Sequence, residues 1–515
     1  MHVFRDGRRD IDVLARVRAL ARSSDALDTL LRAGELECAL IDARDPAARD
    51  AIAWSDAAAD AVIAGTRVVA PPLPSPVIDR APASVPEGFA YYAVHPLDYA
   101  HAAMRAVPPG VPALVLGIRT IGTTLSAIAA AALRARGSTV VRATVRPSGH
   151  PFDRRATLDP DLAIHTRALA ATGGIALVID EGPGLSGSSF LAAADALVLA
   201  GVPRERVILV PSHAPDVDRL CAPDAASRWR ALQVVVASPT RVTPEGARAE
   251  ISAGAWRTSM LDASAPWPPT WPAMERRKHV AHDGAVLKYE GLACFGDDAC
   301  ARGEALASLG ISPRLHRLPD GFVRWERAPG RSLSPRDAPP LDAIARAIAA
   351  RLELAPVTLE DASALERATR DNVRALLDLD RTIALPLARP VIADGRLAPH
   401  EWIAGPDETV RKVDAISHGD DHFLPGPCDV AWDLAGAIVE WDLDRAHTAA
   451  LLDRYVGTTG DRDARARVPA WTIAYLAFRT AWLAMARDAC GGDERTRLAH
   501  ASDALRARLA RALRR

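Results

Sequence analysis

Lysine is nearly missing from this chain: of 63 basic side chains in 515 residues three are lysines, Lys278, Lys288 and Lys412, so the other 60 are arginines. A lysine kept in such a background points to a place that needs a compact, flexible ammonium rather than a planar fork, with chance retention as the alternative. Cysteine pairs are missing too. Six scattered cysteines (Cys38, Cys221, Cys294, Cys300, Cys428, Cys490) form no CxxC spacing, and the first ten residues lack the basic-then-apolar pattern of a secretory signal, so a reducing, cytoplasmic setting is expected. No apolar run approaches the roughly 18 residues that a membrane span needs, so a soluble protein without a membrane partner is expected. The 63 basic groups face 64 acidic ones, which leaves no excess to hold a nucleic-acid backbone non-specifically. Nucleic acid is therefore not an expected partner.

What is present is ordinary globular composition, 49% hydrophobic and 25% charged. The length is too great for one core, and about three or four folding units are expected. Residues 10–65 are Ala/Leu/Arg-rich with helical spacing, and the prolines of 68–76 end that pattern, giving a helical N-terminal unit with its linker over 1–88. From 89 to 240 apolar runs alternate with helical stretches (113–118, 124–136, 138–145, 175–179, 190–200, 207–210, 234–236), which predicts a parallel sheet covered on both faces. The Trp/Pro-rich run 265–272 marks a linker over 241–277. Strand-like 278–290 and 321–327 around a helix at 299–308 suggest a small β-rich lobe over 278–335, and Ala/Leu/Arg helical text fills 336–515.

Two segments carry phosphate chemistry in the first half. Residues 177–189 read as an apolar strand, two acids (Asp180, Glu181), and a Gly/Ser loop (Ser186, Gly187, Ser188, Ser189) entering a helix. Free amides at a helix N-terminus suit a phosphate, and the acids suit ribose hydroxyls or a bound Mg²⁺. A plain strand-to-helix turn with a capping serine is the alternative. About 60 residues upstream, Val115–Leu125 repeats the strand, tight polar loop (Arg119, Thr120, Gly122) and helix. Together the two resemble the type I phosphoribosyltransferase family over about 150 residues, implying a Rossmann-like α/β domain that binds phosphoribosyl pyrophosphate. On that resemblance Arg119, Thr120 and Gly122 hold pyrophosphate, Asp180 and Glu181 the ribose, and Ser186–Ser189 the 5-phosphate. The loop is one residue longer than the family pattern. His150, Arg154 and Arg155, in the polar turn 146–155, fall where the family carries its lid and would neutralise a leaving pyrophosphate. A solvated arginine-rich loop is the alternative. The acceptor pocket is not legible beyond Phe89–Asp98.

In the second half Lys288 lies on a strand and Glu304 follows sixteen residues later on a helix, the arrangement by which kinase-like folds orient a cation over nucleotide phosphates. Gly321–Leu333 has the form of a hinge, with Glu326 near an adenine edge. Glu401–Asp414 reads as a hairpin ending in an acid, and Asp433 opens an Asp-Leu-Ala helix. In this order the pieces resemble the aminoglycoside phosphotransferase and choline kinase family over about 230 residues, implying a two-lobed α+β domain with a mostly helical C-lobe. The resemblance assigns Lys288 to phosphate, Glu304 to Lys288, Asp414 and Glu401 to Mg²⁺, and Asp433 to a structural role. It also exposes a departure: Asp394-Gly395-Arg396 stands where the family has His-Gly-Asp, so Arg396 takes the position of the catalytic aspartate. Asp394 from a shifted loop, or Asp420 in the cluster His418–His422, is the candidate replacement base, a polar surface loop being the alternative. The expectation is a bifunctional enzyme acting on small molecules, with phosphoribosyl pyrophosphate and ATP as substrates and Mg²⁺ as cofactor. The competing expectation is a nucleotide-sensing regulator or scaffold. Oligomeric state and the purpose of the N-terminal helices are not legible.

Overall fold

The computed structural model describes residues 1–262 and 265–514. They form two compact units, one of Gly7–Val242 with Gly291–Phe295, the other of Met1–Asp6, Thr243–Glu290 and the described residues from Gly296 on.

The first unit is organised by a five-stranded parallel sheet in the order Val140–Val145, Ala113–Ile118, Ile175–Ile179, Val207–Val210, Gln233–Val234. Ala113–Ile118 and Val207–Val210 are buried at every residue, as strands covered on both faces must be. Their alternate residues serve opposite faces: Leu114, Leu116 and Ile118 pack with Leu162, Leu169, Phe190 and Leu197 of two helices, Pro160–Ala171 and Ser188–Leu199. Helix Gly122–Ala135 also packs on the sheet, and it sits very close to the strand before it. A Cβ on Gly117 would lie 2.1 Å from the carbonyl oxygen of Gly122.

The N-terminal helices are not a separate unit over 1–88 as the composition break suggests. Ala26–Asp42 and Ala48–Ala64 pack on Gly122–Ala135, and a Cβ on Gly34 would meet Thr124 Oγ1 at 1.9 Å. Their apolar faces are buried on the sheet's own helix rather than against each other alone.

The second unit carries an antiparallel sheet in the order Ala247–Glu250, Lys278–Ala281, Val286–Tyr289, Phe322–Trp325, Leu315–Arg317, with helix Asp297–Ser308 between Val286–Tyr289 and Leu315–Arg317 in sequence. Residues 278–290 are a hairpin rather than one strand: Gly284, at φ +82, turns the chain, and Ala281 N donates to Ala285 O at 2.9 Å. The 241–277 stretch is not a bare linker either. Ala247–Glu250 is an edge strand, and Trp271, 5% exposed, joins the large core. Among the described residues beyond 330 come two small sheets, Arg331–Ser332/Trp402–Ala404/Val410–Lys412 and Pro390–Ile392/Pro427–Asp429, and six helices of ten or more residues ending in Ala464–Ala489 and Gly492–Ala512.

Candidate functional site

In the first unit the strand order reverses between Ala113–Ile118 and Ile175–Ile179, since the chain moves outward to Val140–Val145 before returning to the other side. In open parallel sheets, ligand crevices form outside the carboxyl ends of the strands at such a switch point. The loops that leave these two strands are the two singled out in the sequence, and a Cβ on Gly122 would lie 2.6 Å from Ile179 O.

Asp180 and Glu181 stand at the end of the second strand. Tyr99 Oη donates to both their carbonyls (2.9 and 3.2 Å), Gly88 N donates to Glu181 Oε2 at 2.9 Å, and Glu181 N to Asp180 Oδ1 at 2.9 Å. Burial pushes the Asp180 carboxyl up to about 7, with Arg146 and Arg154 opposing the rise. Burial, then Asp180 and Glu87, push Glu181 up to about 8. Ser186 and Ser188 donate through Oγ to Pro151 O (3.0 and 2.8 Å), at the tip of the hairpin Ser148–His150/Asp153–Arg155, while Ser188 N donates to Ser186 Oγ at 3.2 Å. Gly187 and Ser189 complete this loop. His150, Arg154 and Arg155 are exposed on the hairpin.

Arg119 does not face the acids. Its guanidinium lies 3.4 Å from Asp42 of helix Ala26–Asp42, and Arg146 also pairs with Asp42. Thr120 is half-buried beside it and Gly122 begins the helix. Asp42, Gly88 and Tyr99 are the residues missed in the sequence; the latter two flank the Phe89–Asp98 segment that was noted.

The second unit holds a partly open cleft of about 90 Å³ whose lining includes Lys278, Lys288, Gly395, Arg396, Asp414 and His418. Lys278 and Lys288 face each other across adjacent strands. The Lys288 ammonium donates to Asp414 Oδ1 and to Ser417 Oγ (2.7 Å) and lies 3.1 Å from Glu290 Oε1. Lys278 Nζ and His418 Nε2 approach Asp414 Oδ2 at 3.7 and 3.5 Å. Burial works against both charges of the central pair, but Asp414 and Glu290 hold the lysine above its ordinary value, and Lys288, His418 and Lys278 hold Asp414 well below the carboxylate range.

Beside them the third lysine is fully buried. Lys412 Nζ lies 3.3 Å from Asp394 Oδ1 and donates to Glu401 Oε2 (3.0 Å) and Val413 O (2.9 Å). All three lysines of the chain therefore converge on one locus. The loop itself is gripped by Asp433, whose carboxylate accepts from the amides of Asp394 (2.8 Å) and Gly395 (3.0 Å), with Gly395 at φ +81. That grip fixes where Arg396 leaves the loop, 3.2 Å from Glu401 Oε1.

Several assignments from the sequence are corrected here. Glu304 does not hold Lys288; it lies on the exposed side of its helix, 3.9 Å from Arg317, and Glu290, just past the end of the lysine's own strand, takes the place. Glu326 is exposed against His316 at 3.2 Å and does not line the cleft. Asp394 is held by Arg351 (2.6 Å) and Lys412, and Asp420 by Arg302 (3.0 Å) and Arg5 (3.5 Å), so neither stands free as a base. Asp394, Glu401 and His418 have oxygen and nitrogen atoms within 4.8 Å of one another, a spacing that suits a cation. Between Asp394 and Glu401, however, the Lys412 ammonium already supplies the charge. Of the cluster His418–His422 it is Asp421 rather than Asp420 that lines the cleft; it accepts from Phe423 N at 2.8 Å and is pushed by burial up to about 7.

No protein-family model and no curated protein matches this sequence. Among solved structures, a choline/ethanolamine kinase family protein from Mesorhizobium loti matches at 19% identity over 46% of this chain and 85% of its own, with a TM-score of 0.31. Choline kinase LicA from Streptococcus pneumoniae matches at 14% over 45% and 89%, TM-score 0.28. The GDP complex of aminoglycoside 2′-phosphotransferase-IIIa matches at 13% over 49% and 96%, TM-score 0.30. At such scores the likeness carries no argument, and what the cleft does must be read from its own side chains.

Proposed function

We propose that the second unit is a kinase-like domain that binds ATP with Mg²⁺ and transfers phosphate to a small molecule. The observation that supports this best is the convergence of the three lysines in an arginine-rich chain: two ammonium groups meet at an ionised carboxylate on the wall of a cleft. Such an arrangement suits a polyphosphate brought in with a divalent ion, since Lys288 can exchange its bond to Asp414 for phosphate oxygens while Asp414 takes the metal. Asp414 fits the ion, being a carboxylate kept ionised by its neighbours. Glu401 fits less well because Lys412 and Arg396 already neutralise it. When bound, the metal would offset charge on the phosphates.

In the transfer the terminal P–O bond of the nucleotide breaks, a P–O bond to the acceptor hydroxyl forms, and the hydroxyl proton must leave. Arg396 cannot accept it. Asp421, a cleft carboxylate that burial pushes up to about 7, is suited to do so. Titration calorimetry with ATP and Mg²⁺ tests the binding half: Lys288→Ala and Asp414→Ala should each weaken affinity about tenfold or more, and unchanged affinity removes the assignment. Arg396 and the buried Lys412 favour a second reading, a nucleotide-binding regulator without transfer. Tight binding with no ATP turnover favours it, and turnover lost in Asp421→Asn excludes it.

For the first unit we propose phosphoribosyl pyrophosphate binding and phosphoribosyl transfer. Its support is the pairing of the acidic loop and the Arg119 loop at the switch point of a parallel sheet. Pyrophosphate release from phosphoribosyl pyrophosphate with a panel of bases tests it. Neither release nor binding under any condition would end that reading.

A further inference from the structure

The cleft of the second unit has an unequal lining. Among the described residues, five cationic side chains line it: Arg276, Lys278, Lys288, Arg396 and Arg479. Three acids do, Glu275, Asp414 and Asp421, and each is already held, Asp421 by Phe423 N at 2.8 Å. Glu275 accepts from Gly254 N and Trp256 Nε1, both at 3.0 Å, and Asp414 is shared by two lysines and His418. The carboxylates that balance the arginines do not line the cleft. Glu440 holds Arg479 (2.8 Å), Glu401 lies against Arg396 (3.2 Å) and Glu290 against Arg276 (3.2 Å).

Aromatic rings line the same cleft. Trp271 and Trp482 meet edge to face at 5.7 Å, Phe423 lies 5.9 and 6.2 Å from them, and the Arg479 guanidinium lies 5.0 Å over the Trp482 ring. Arg479 is thus held in one orientation by Glu440 on one side and an indole on the other, the arrangement in which a guanidinium recognises a carboxylate or phosphate at low entropic cost.

We propose that the acceptor of this cleft is an anion, a carboxylate or phosphate group on a flat apolar body that also bears the hydroxyl, rather than an amine. An amine would meet five like charges and three acids already held by donors, whereas an anion meets oriented guanidinium groups beside aromatic rings. This rests on the phosphotransfer reading for the word acceptor, but the charge preference stands without it.

The test is calorimetry on the full chain with phenyl phosphate, inorganic phosphate and choline, each with and without a saturating non-hydrolysable ATP analogue and Mg²⁺. Phenyl phosphate should bind in both conditions, about tenfold or more tighter than choline and tighter than inorganic phosphate, and should weaken about tenfold in Arg276→Gln and in Trp482→Ala. Choline binding as tightly as phenyl phosphate, no binding by phenyl phosphate, or its loss when the nucleotide is present each overturns the proposal. If the nucleotide analogue fails to bind while phenyl phosphate binds, phosphotransfer falls and the anion preference remains.

Discussion

Lys412 shows what a single residue does here. Its ammonium is 0% exposed and satisfies Asp394, Glu401 and a backbone carbonyl at once. Removing it leaves Asp394 with Arg351 and Glu401 with Arg396 as remaining cations but deletes a shared buried charge-assisted contact, so Lys412→Met should destabilise the second unit by about 1.5–3 kcal/mol in urea unfolding. Lys412→Arg should also destabilise, because a planar fork does not fill the place of a compact ammonium; wild-type stability in that variant would contradict the account of why lysine is kept. Asp180 and Glu181 give a prediction of opposite kind. Their pKa values rise from 3.8 to about 7 and from 4.5 to about 8, so between those limits the folded first unit holds more protons than the unfolded chain. Stability from this source is full at low pH and falls as pH rises toward 8. The double change Asp180→Asn, Glu181→Gln should flatten that slope and add about 1–3 kcal/mol at pH 8 by thermal unfolding. An unchanged slope would show that the two acids are not desolvated. At this scale the convergence of Lys288 and Asp414 and the departure at Arg396 were legible because the order of short motifs resembles a known family, although the two paired residues lie far apart in sequence. Glu290 and Asp42 were not, because Glu290 depends on which face of its strand end is buried and Asp42 on contacts far away in sequence.

Elements are positioned here by close backbone approach. Gly117 lets helix Gly122–Ala135 come down onto its own strand, and the atom a Cβ would strike is a carbonyl oxygen that cannot swing aside. Gly117→Ala should therefore cost the first unit about 2–4 kcal/mol and shift its calorimetric transition down, while the transition of the second unit stays in place. A neutral effect would mean the helix can lift without loss. The alternation of strands and helices over 113–236 was readable from apolar runs, since fully buried parallel strands are apolar on both faces. The hairpin within 278–289 was read as one strand because Asp283-Gly284 sits inside a short apolar pattern whose turn signal was overlooked. The docking of the N-terminal helices on Gly122–Ala135 left no local mark. Only Gly34, inside an otherwise ordinary amphipathic helix, hinted at a close neighbour.

For the whole molecule, the chain carries two places suited to phosphates on two different architectures, one at the carboxyl edge of a parallel sheet and one in a cleft flanked by an antiparallel sheet and long helices. Among the described residues no helix is long and apolar enough to cross a membrane. The stretch that composition marked as a divider carries an edge strand, Ala247–Glu250, and a tryptophan, Trp271, buried in the large core. The most direct test of the lysine cleft is a crystal structure of the full chain with a non-hydrolysable ATP analogue and Mn²⁺. The expected result is polyphosphate bonded to Lys288, with the metal signal at Asp414 and Lys412 unmoved between Asp394 and Glu401. A nucleotide bound elsewhere, or Lys288 still bridged to Asp414 in an empty cleft at millimolar ligand, would contradict it.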